Sequence, residues 1–233
     1  RAEGGSGDSV VILAGPGPRW IQACLAVINI GAVIVPVDTQ HDDETLDHIL
    51  SDCQVRFVFT EKSKLAQLHR LERGAEVSTY LLDERDSRED RFAVADASSV
   101  SASPSPEDTA IIFYTSGTTG PSKGVPLSHE NVTFQINAVR RTGLLKETDR
   151  MLLPLPLHHV YPFIIGIVTP LALGVPVVFP HAITGPEILR ALREAMVTVI
   201  LGVPRLYRII YAGIQGRFEA YGHIAGGLFR GAL

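Results

Sequence analysis

Short apolar runs alternate with longer amphipathic stretches along the first part of this chain. An apolar run of about five residues bounded by turn formers predicts a buried strand, and apolar residues three and four apart predict a helix. The predicted strands are Val10–Ala14, Ala32–Val37, Val55–Thr60 and Val77–Leu82. The predicted helices are Pro18–Ile30, Asp42–Ser51 and Ser63–Arg73. Strands that alternate with helices predict an α/β fold with a largely parallel sheet covered by helices.

The alternation stops at residues 83–108, where acidic residues and arginines are followed by a stretch rich in serine and proline. We interpret this segment as a solvated linker between a first α/β subdomain at 1–82 and a second one at 109–233. In the second part, predicted strands or short extended segments are Ala110–Tyr114, Val125–Leu127, Met151–Leu153, Val175–Phe179 and Val197–Leu201. The predicted helices there are Ser128–Arg141, Tyr161–Leu173, Pro186–Ala195 and Pro204–Ala212, with a further helical segment over Arg217–Leu233.

Composition and charge limit the classes of protein to which this chain can belong. The 233 residues are 45% hydrophobic and 20% charged, with a net charge of −4, as in ordinary globular proteins. The chain has no basic block, so nucleic acid is not an expected partner. Cys24 and Cys53 have no metal or redox spacing and predict buried thiols in the cytoplasm. The uncharged stretch Val160–Pro180 contains prolines and glycines, which favour a buried helix and strand over a membrane span.

Residues 114–125 are the segment that indicates most about the chemistry of the chain. The run Tyr-Thr-Ser-Gly-Thr-Thr-Gly-Pro-Ser-Lys-Gly-Val follows a predicted strand and combines glycines, hydroxyl side chains and Lys123. Glycines allow the backbone to approach a ligand, hydroxyl and amide groups donate hydrogen bonds, and a lysine offsets negative charge. The run predicts a polyphosphate-binding loop, with a surface turn as the alternative. It does not follow the Walker pattern, because Ser122 and Gly124 stand on either side of the lysine.

This run resembles the phosphate-binding signature of the adenylate-forming superfamily, which includes acyl-CoA synthetases and peptide-synthetase adenylation domains. Pro121 and Ser122 are a departure, since the family has its proline one position later. The resemblance implies the large N-terminal domain of such an enzyme, with ATP, Mg²⁺ and coenzyme A taking part. It implies that Lys123 is catalytic and that the β- and γ-phosphates contact the following residues: Thr115, Ser116, Gly117, Thr118, Thr119, Gly120 and Lys123.

Two further segments resemble the same family. Leu155–His159 is similar to its Leu-Pro-Leu-x-His motif, in which the histidine lies beside the carboxylate being activated. The resemblance implies a catalytic and substrate-binding role for His159 and makes His158 the variable position. A histidine satisfied within the core is the alternative for both. The residues predict no protein-held metal, because the two histidines have no i, i+4 partner or nearby carboxylate. Val197–Tyr207 is similar to a segment that borders the acyl pocket, which implies substrate-binding roles for Val203 and Pro204.

The sequences of these segments are most similar to those of fatty acyl-CoA synthetases, which implies a medium- or long-chain fatty acid as substrate. The chain begins with Arg1, and the family's Tyr-Gly-x-Thr-Glu segment is not found after Ala212, so we expect an N-terminal portion that is inactive alone. The alternatives are a non-catalytic nucleotide- or acyl-binding remnant, an acyl-AMP ligase and a peptide-synthetase domain. We expect a cytoplasmic protein without a transmembrane span, and contact with a membrane surface is left open.

Overall fold

The computed structural model describes residues 7–83, 103–115 and 120–220, and the chain divides into two compact units. Unit 1 comprises residues 1–135 and 156–160, and unit 2 comprises residues 136–155 and 161–233. Among the described residues, no helix is long and apolar enough to cross a membrane. Of the segments predicted above, most of the linker, at 84–102, and the chain after Ala220 lie outside the described residues.

Unit 1 is built on one mixed sheet. Its strands are β1 (Ser9–Leu13), β2 (Val33–Pro36), β3 (Phe57–Thr60), β4 (Ser78–Leu81), β5 (Thr109–Thr115) and β6 (Lys123–Ser128). They lie in the order β4-β3-β1-β2-β5-β6, and every neighbouring pair is parallel except β5 and β6, which run antiparallel. The predicted α/β class with a largely parallel sheet is therefore confirmed, with one antiparallel strand added at the sheet edge.

Local sequence explains where the helices of unit 1 begin and end. The helices are α1 (Pro18–Asn29), α2 (Asp43–Asp52) and α3 (Lys62–Leu68), followed by a 3-10 turn at Arg73–Ala75. Helix α1 starts with proline and ends at Gly31, whose φ of 71° suits a glycine after a helix. Helix α2 starts where the Asp42 carboxylate accepts a hydrogen bond from the Thr45 amide at 2.9 Å.

One cluster of the core of unit 1 lies between the sheet and α2. Leu46, Ile49 and Leu50 occupy one face of α2 and are fully buried against strand residues such as Val35 and Val58. At about 25 cal/mol per Å² of buried apolar surface, each of these side chains contributes roughly 2 kcal/mol. Helix α2 is therefore held firmly on the sheet.

Unit 2 contains a smaller sheet of three parallel strands. These are β7 (Met151–Leu152), β8 (Val177–Val178) and β9 (Val199–Ile200), in the order β8-β7-β9. The helices are α5 (Val160–Phe163) and α6 (Thr169–Ala172), joined by a π-helical segment at Ile164–Val168, then α7 (Gly185–Glu194) and α8 (Pro204–Ala220). The remaining helix, α4 (His129–Thr142), contains the boundary between the units, and its start is capped by the Ser128 hydroxyl, which accepts from the Asn131 amide at 3.2 Å.

Two features differ from the sequence-based expectation. The units divide after Gln135, whereas we predicted a division at 83–108, because β5 pairs with β2 and completes the first sheet. The stretch predicted as one helix over Tyr161–Leu173 contains the π-helical segment, which accommodates a wider turn in the middle of the buried run. Its residues Phe163, Ile164 and Ile167 are buried, in agreement with an interpretation as core.

Candidate functional site

The predicted phosphate loop is closed by an antiparallel hairpin. Strands β5 and β6 pair in register with Tyr114 opposite Gly124 and Thr115 opposite Lys123, so the loop begins and ends at one pair of residues. Four residues of the predicted set lie outside the described residues: Ser116, Gly117, Thr118 and Thr119. Of the other predicted members, Thr115, Gly120 and Lys123 are exposed at the mouth of the hairpin, and Gly120 has a φ of 108° that favours glycine.

Lys123 supplies the positive charge at this mouth. Its side chain is exposed, and within residues 7–83, 103–115 and 120–220 it has no salt bridge closer than the usual 4 Å limit. A lysine ammonium that is not paired with a carboxylate has its N–H donors available for an anion. Lys123 lies opposite Thr115 across the ladder, so a cation and a hydroxyl side chain stand together at the mouth of the loop.

The two strand ends that flank the loop are called its stems here, and the stem before the loop is held by Tyr114. Its hydroxyl donates to Asp52 Oδ2 at 2.5 Å and lies 3.0 Å from Cys53 Sγ. Burial and the hydrogen bond to Asp52 raise the pKa of Tyr114, so the phenol keeps its proton and remains a donor at neutral pH. Burial also raises the pKa of Cys53, which is only half-buried at the end of α2, whereas Cys24 is fully buried as predicted.

The stem after the loop approaches Tyr114 closely. A Cβ atom at Gly124 would lie 3.3 Å from the Tyr114 hydroxyl and 3.0 Å from a methyl carbon of Ile112. Only a residue without a side chain leaves the tyrosine ring this position across the ladder. The main chain at Ser122 is fixed as well, because its carbonyl oxygen lies 2.9 Å from His48 Nε2.

The two histidines of the Leu-Pro-Leu-x-His segment have different environments in unit 1. His158 is half-buried, its Nε2 lies 3.5 Å from Asp38 Oδ2, and its ring centroid is 4.2 Å from that of His159. Burial lowers the pKa of His158, Asp38 raises it in part, and His159 and His41 lower it further. His159 is exposed, so the alternative of a histidine satisfied within the core does not apply to it.

Val203 and Pro204 lie in unit 2, in the turn from β9 to α8. The Val203 carbonyl accepts from the Leu206 amide at 2.8 Å and starts the helix, and Pro204 takes its first position. Both residues are exposed. The structure thus groups Thr115, Gly120 and Lys123 in one hairpin, and places His159 separately in unit 1 and Val203 with Pro204 in unit 2.

Mg²⁺ is the one cofactor of the family that needs carboxylate or similar oxygen ligands from the protein or its substrates. Among the residues that the structure describes, no group of three or more histidine, cysteine, aspartate or glutamate side chains is arranged to hold a metal ion.

Sequence reasoning missed the partners of the loop stems. His48 and Asp52 come from a segment predicted only as a helix, and no motif marks them. The one available signal was the i, i+4 spacing of His48 and Asp52, which puts both on one face of α2.

The largely parallel sheet and the hairpin loop at its edge together indicate one class of protein. The chain belongs to the AMP-binding enzyme family, whose sequence model matches residues 2–230. This membership confirms the superfamily that the loop resembles.

The curated relatives include CoA ligases that are named for different acids. The chain is 31% identical over 179 residues to the sulfoacetate–CoA ligase of Cupriavidus necator, covering 76% of this chain and 35% of that protein. It is 30% identical over 225 residues to a long-chain-fatty-acid–CoA ligase of Gallus gallus, covering 86% and 29%. The crystal structure of ATP-bound MatB from Rhodopseudomonas palustris superposes with a TM-score of 0.76 at 27% identity, covering 88% of this chain and 41% of that one. The chain thus spans about a third of the length of these two curated relatives.

Proposed function

We propose that this chain is the ATP-handling part of an AMP-forming acid–CoA ligase whose acid is a medium- or long-chain fatty acid. The observation that carries the proposal is the β5–β6 hairpin, which presents Lys123 opposite Thr115 at the mouth of a loop rich in glycine and hydroxyl residues. The ATP in the MatB structure and the names of the two relatives support ATP and an acid–CoA product.

The reaction that this site would serve begins with two anions. A carboxylate oxygen attacks the α-phosphorus of ATP, the bond between the α-phosphorus and the bridging oxygen breaks, and pyrophosphate leaves. The product is an acyl-adenylate, from which a CoA thiol can displace AMP to form the thioester. The contribution of the protein is to bring the reactants together and to stabilise the charge on the departing pyrophosphate.

Within this scheme, the loop residues from Thr115 to Gly120 and Lys123 bind the β- and γ-phosphates. Lys123 Nζ stabilises the charge that builds on pyrophosphate, which makes it the catalytic residue of the hairpin. His159, exposed beside His158, would contact the carboxylate, and Val203 and Pro204 would contact the acyl chain. The fatty acid is preferred over smaller acids because Val203 and Pro204 offer apolar surface, worth about 0.8 kcal/mol for each methylene buried.

The test is acid-dependent ATP–pyrophosphate exchange by the full-length protein. Replacing Lys123 with alanine should lower exchange at least tenfold, since the charge on the pyrophosphate would lose its cation. The matched control is Lys146→Ala, which removes an equally exposed lysine from the turn before β7 and should leave the rate unchanged. Equal rates for the wild type and Lys123→Ala would overturn the role of Lys123.

The substrate is tested separately with a panel of acids. We expect palmitate and octanoate to support exchange with a higher kcat/KM than sulfoacetate or oxalate, and we expect the thioester to form only when CoA is added. A preference for the short acids would reject the fatty acid while leaving the ligase reaction in place. Exchange without CoA-dependent product would indicate an acyl-AMP ligase or a peptide-synthetase domain.

A further inference from the structure

We propose that helix α2 holds the β5–β6 hairpin in position through two positioning residues, His48 and Asp52, and we call this support the brace. Asp52 bonds to the strand end before the loop and His48 to the strand end after it. The consequence for ATP rests on the function proposed above, whereas the brace itself is a matter of contacts among described residues. The two side chains are one helical turn apart on the same face of α2.

Asp52 holds the stem that enters the loop. Its Oδ2 accepts the hydrogen bond from the Tyr114 hydroxyl at 2.5 Å, and Cys53 Sγ lies on the other side of that hydroxyl at 3.0 Å. Tyr114 directly precedes Thr115, the last strand residue before the loop. A hydrogen bond to an ionised carboxylate is short and roughly twice as strong as a neutral one. The entering stem is therefore fixed to the end of α2.

His48 holds the stem that leaves the loop. Its Nε2 lies 2.9 Å from the carbonyl oxygen of Ser122, and because a carbonyl oxygen only accepts, Nε2 carries the proton. The His48 ring also stands edge-on to the Tyr114 ring, with centroids 6.3 Å apart and an interplanar angle of 89°. One imidazole thus contacts both stems at once.

The brace is effective because α2 itself is anchored. Leu46, Ile49 and Leu50 are fully buried in the core of unit 1, and Asp42 caps the start of the helix. A side chain from a well-packed helix can hold both stems in one position, in addition to the pairing of β5 with β2 at Ile111. Stems that are held in place before ATP arrives lose less conformational entropy when the phosphates bind.

The experiment compares two substitutions of His48 in the full-length protein. His48→Leu removes the donor, and His48→Gln keeps an N–H donor at a similar distance from the main chain. The first readout is amide hydrogen exchange of peptides that span residues 111–127. We expect exchange in these peptides to become about five- to tenfold faster in His48→Leu and to remain near the wild-type rate in His48→Gln.

The second readout is kinetic. His48→Leu should raise the KM for ATP about fivefold, as expected when one hydrogen bond of ordinary net strength no longer preorganises the site. The KM for the acid and kcat should change less than twofold, and His48→Gln should restore the KM for ATP. A merely structural loss of stability would lower the active fraction and so reduce kcat without this selective change in KM.

A second variant covers the other stem. Tyr114→Phe keeps the ring against Gly124 and His48 and removes only the hydroxyl that bonds to Asp52, so it should also accelerate exchange of the same peptides. Unchanged hydrogen exchange in both His48→Leu and Tyr114→Phe would overturn the brace, whatever the enzyme does. An absence of ATP–pyrophosphate exchange in the wild type would reject the proposed function, and hydrogen exchange would still decide whether the brace exists.

Discussion

Two glycines of helix α8 provide a matched pair of substitutions, because only one of them touches another helix. A Cβ atom at Gly213 would lie 2.8 Å from the Cα of Gly185 and 3.2 Å from its carbonyl carbon, where α7 begins. A Cβ atom at Gly216 would meet nothing within 4 Å. We therefore expect alanine to have opposite effects at two positions three residues apart.

The magnitudes follow from two opposing contributions. Replacing glycine by alanine in a helix stabilises it by about 0.5–1 kcal/mol, and this gain applies at both positions. At Gly213 the new methyl group meets backbone, which cannot rotate away, so α7 and α8 must separate, and overpacking of this kind costs about 1–3 kcal/mol. Gly216→Ala should thus stabilise the protein by up to about 1 kcal/mol, and Gly213→Ala should be less stable than Gly216→Ala by about 1–3 kcal/mol.

The assay is thermal unfolding followed by circular dichroism, with urea unfolding as a second measurement. For a domain of this size, 1 kcal/mol corresponds to a shift in Tm of about 2–4 °C, so the two variants should differ by several degrees. Equal Tm values for Gly213→Ala and Gly216→Ala would refute the reasoning, since they would mean that Gly185 and Gly213 are not in backbone contact.

Three further predictions concern single side chains. Thr169 is fully buried and its hydroxyl has no hydrogen-bond partner in the described part of the chain, so Thr169→Val should stabilise by about 1 kcal/mol in urea unfolding, and Thr169→Ser, which keeps the hydroxyl, should not. Met196 has a φ of 49° after α7, so Met196→Gly should raise the Tm by relieving about 1 kcal/mol of strain, whereas Met196→Ala should leave it unchanged. The pKa of His158 lies below the ordinary 6.5, because burial outweighs the attraction of Asp38, so the unfolded chain takes up a proton first as the pH falls. The free energy of unfolding should therefore decrease below about pH 6.5. In His158→Gln a plot of this free energy against pH should be less steep, and an unchanged slope would contradict a lowered pKa of His158.

The sequence was sufficient for most of unit 1. Alternation of apolar runs with amphipathic stretches located β1 to β4, α1 and α2 within a few residues, because periodicity and helix caps are local properties of the chain. Helix α3 was predicted to run to Arg73 but ends at Leu68. Pro18 and Gly31, at the two ends of α1, behaved as their backbone preferences predict. The family, too, followed from one short loop.

What the sequence did not reveal depends on contacts between distant segments. The pairing of β5 with β2, across the predicted linker, decides that the first sheet extends to Ser128, and no local pattern encodes which edge of a sheet a strand joins. The bonds from His48 to Ser122 and from Asp52 to Tyr114 join residues far apart in the chain for the same reason. The roles of the individual loop residues, of His159 and of Val203 and Pro204 stay predictions.

The hairpin has an electrostatic consequence that separates this loop from Walker-type loops. In those loops the chain runs from the phosphates directly into a helix, whose N-terminus adds a positive field of its own. Here the chain leaves the loop as strand β6, and the next helix begins only at His129. The field on an anion must then come mostly from nearby side-chain charge and from individual N–H and O–H donors. Affinity for a polyphosphate at this edge should consequently depend strongly on Lys123 and fall steeply as added salt screens the exposed charge of that lysine.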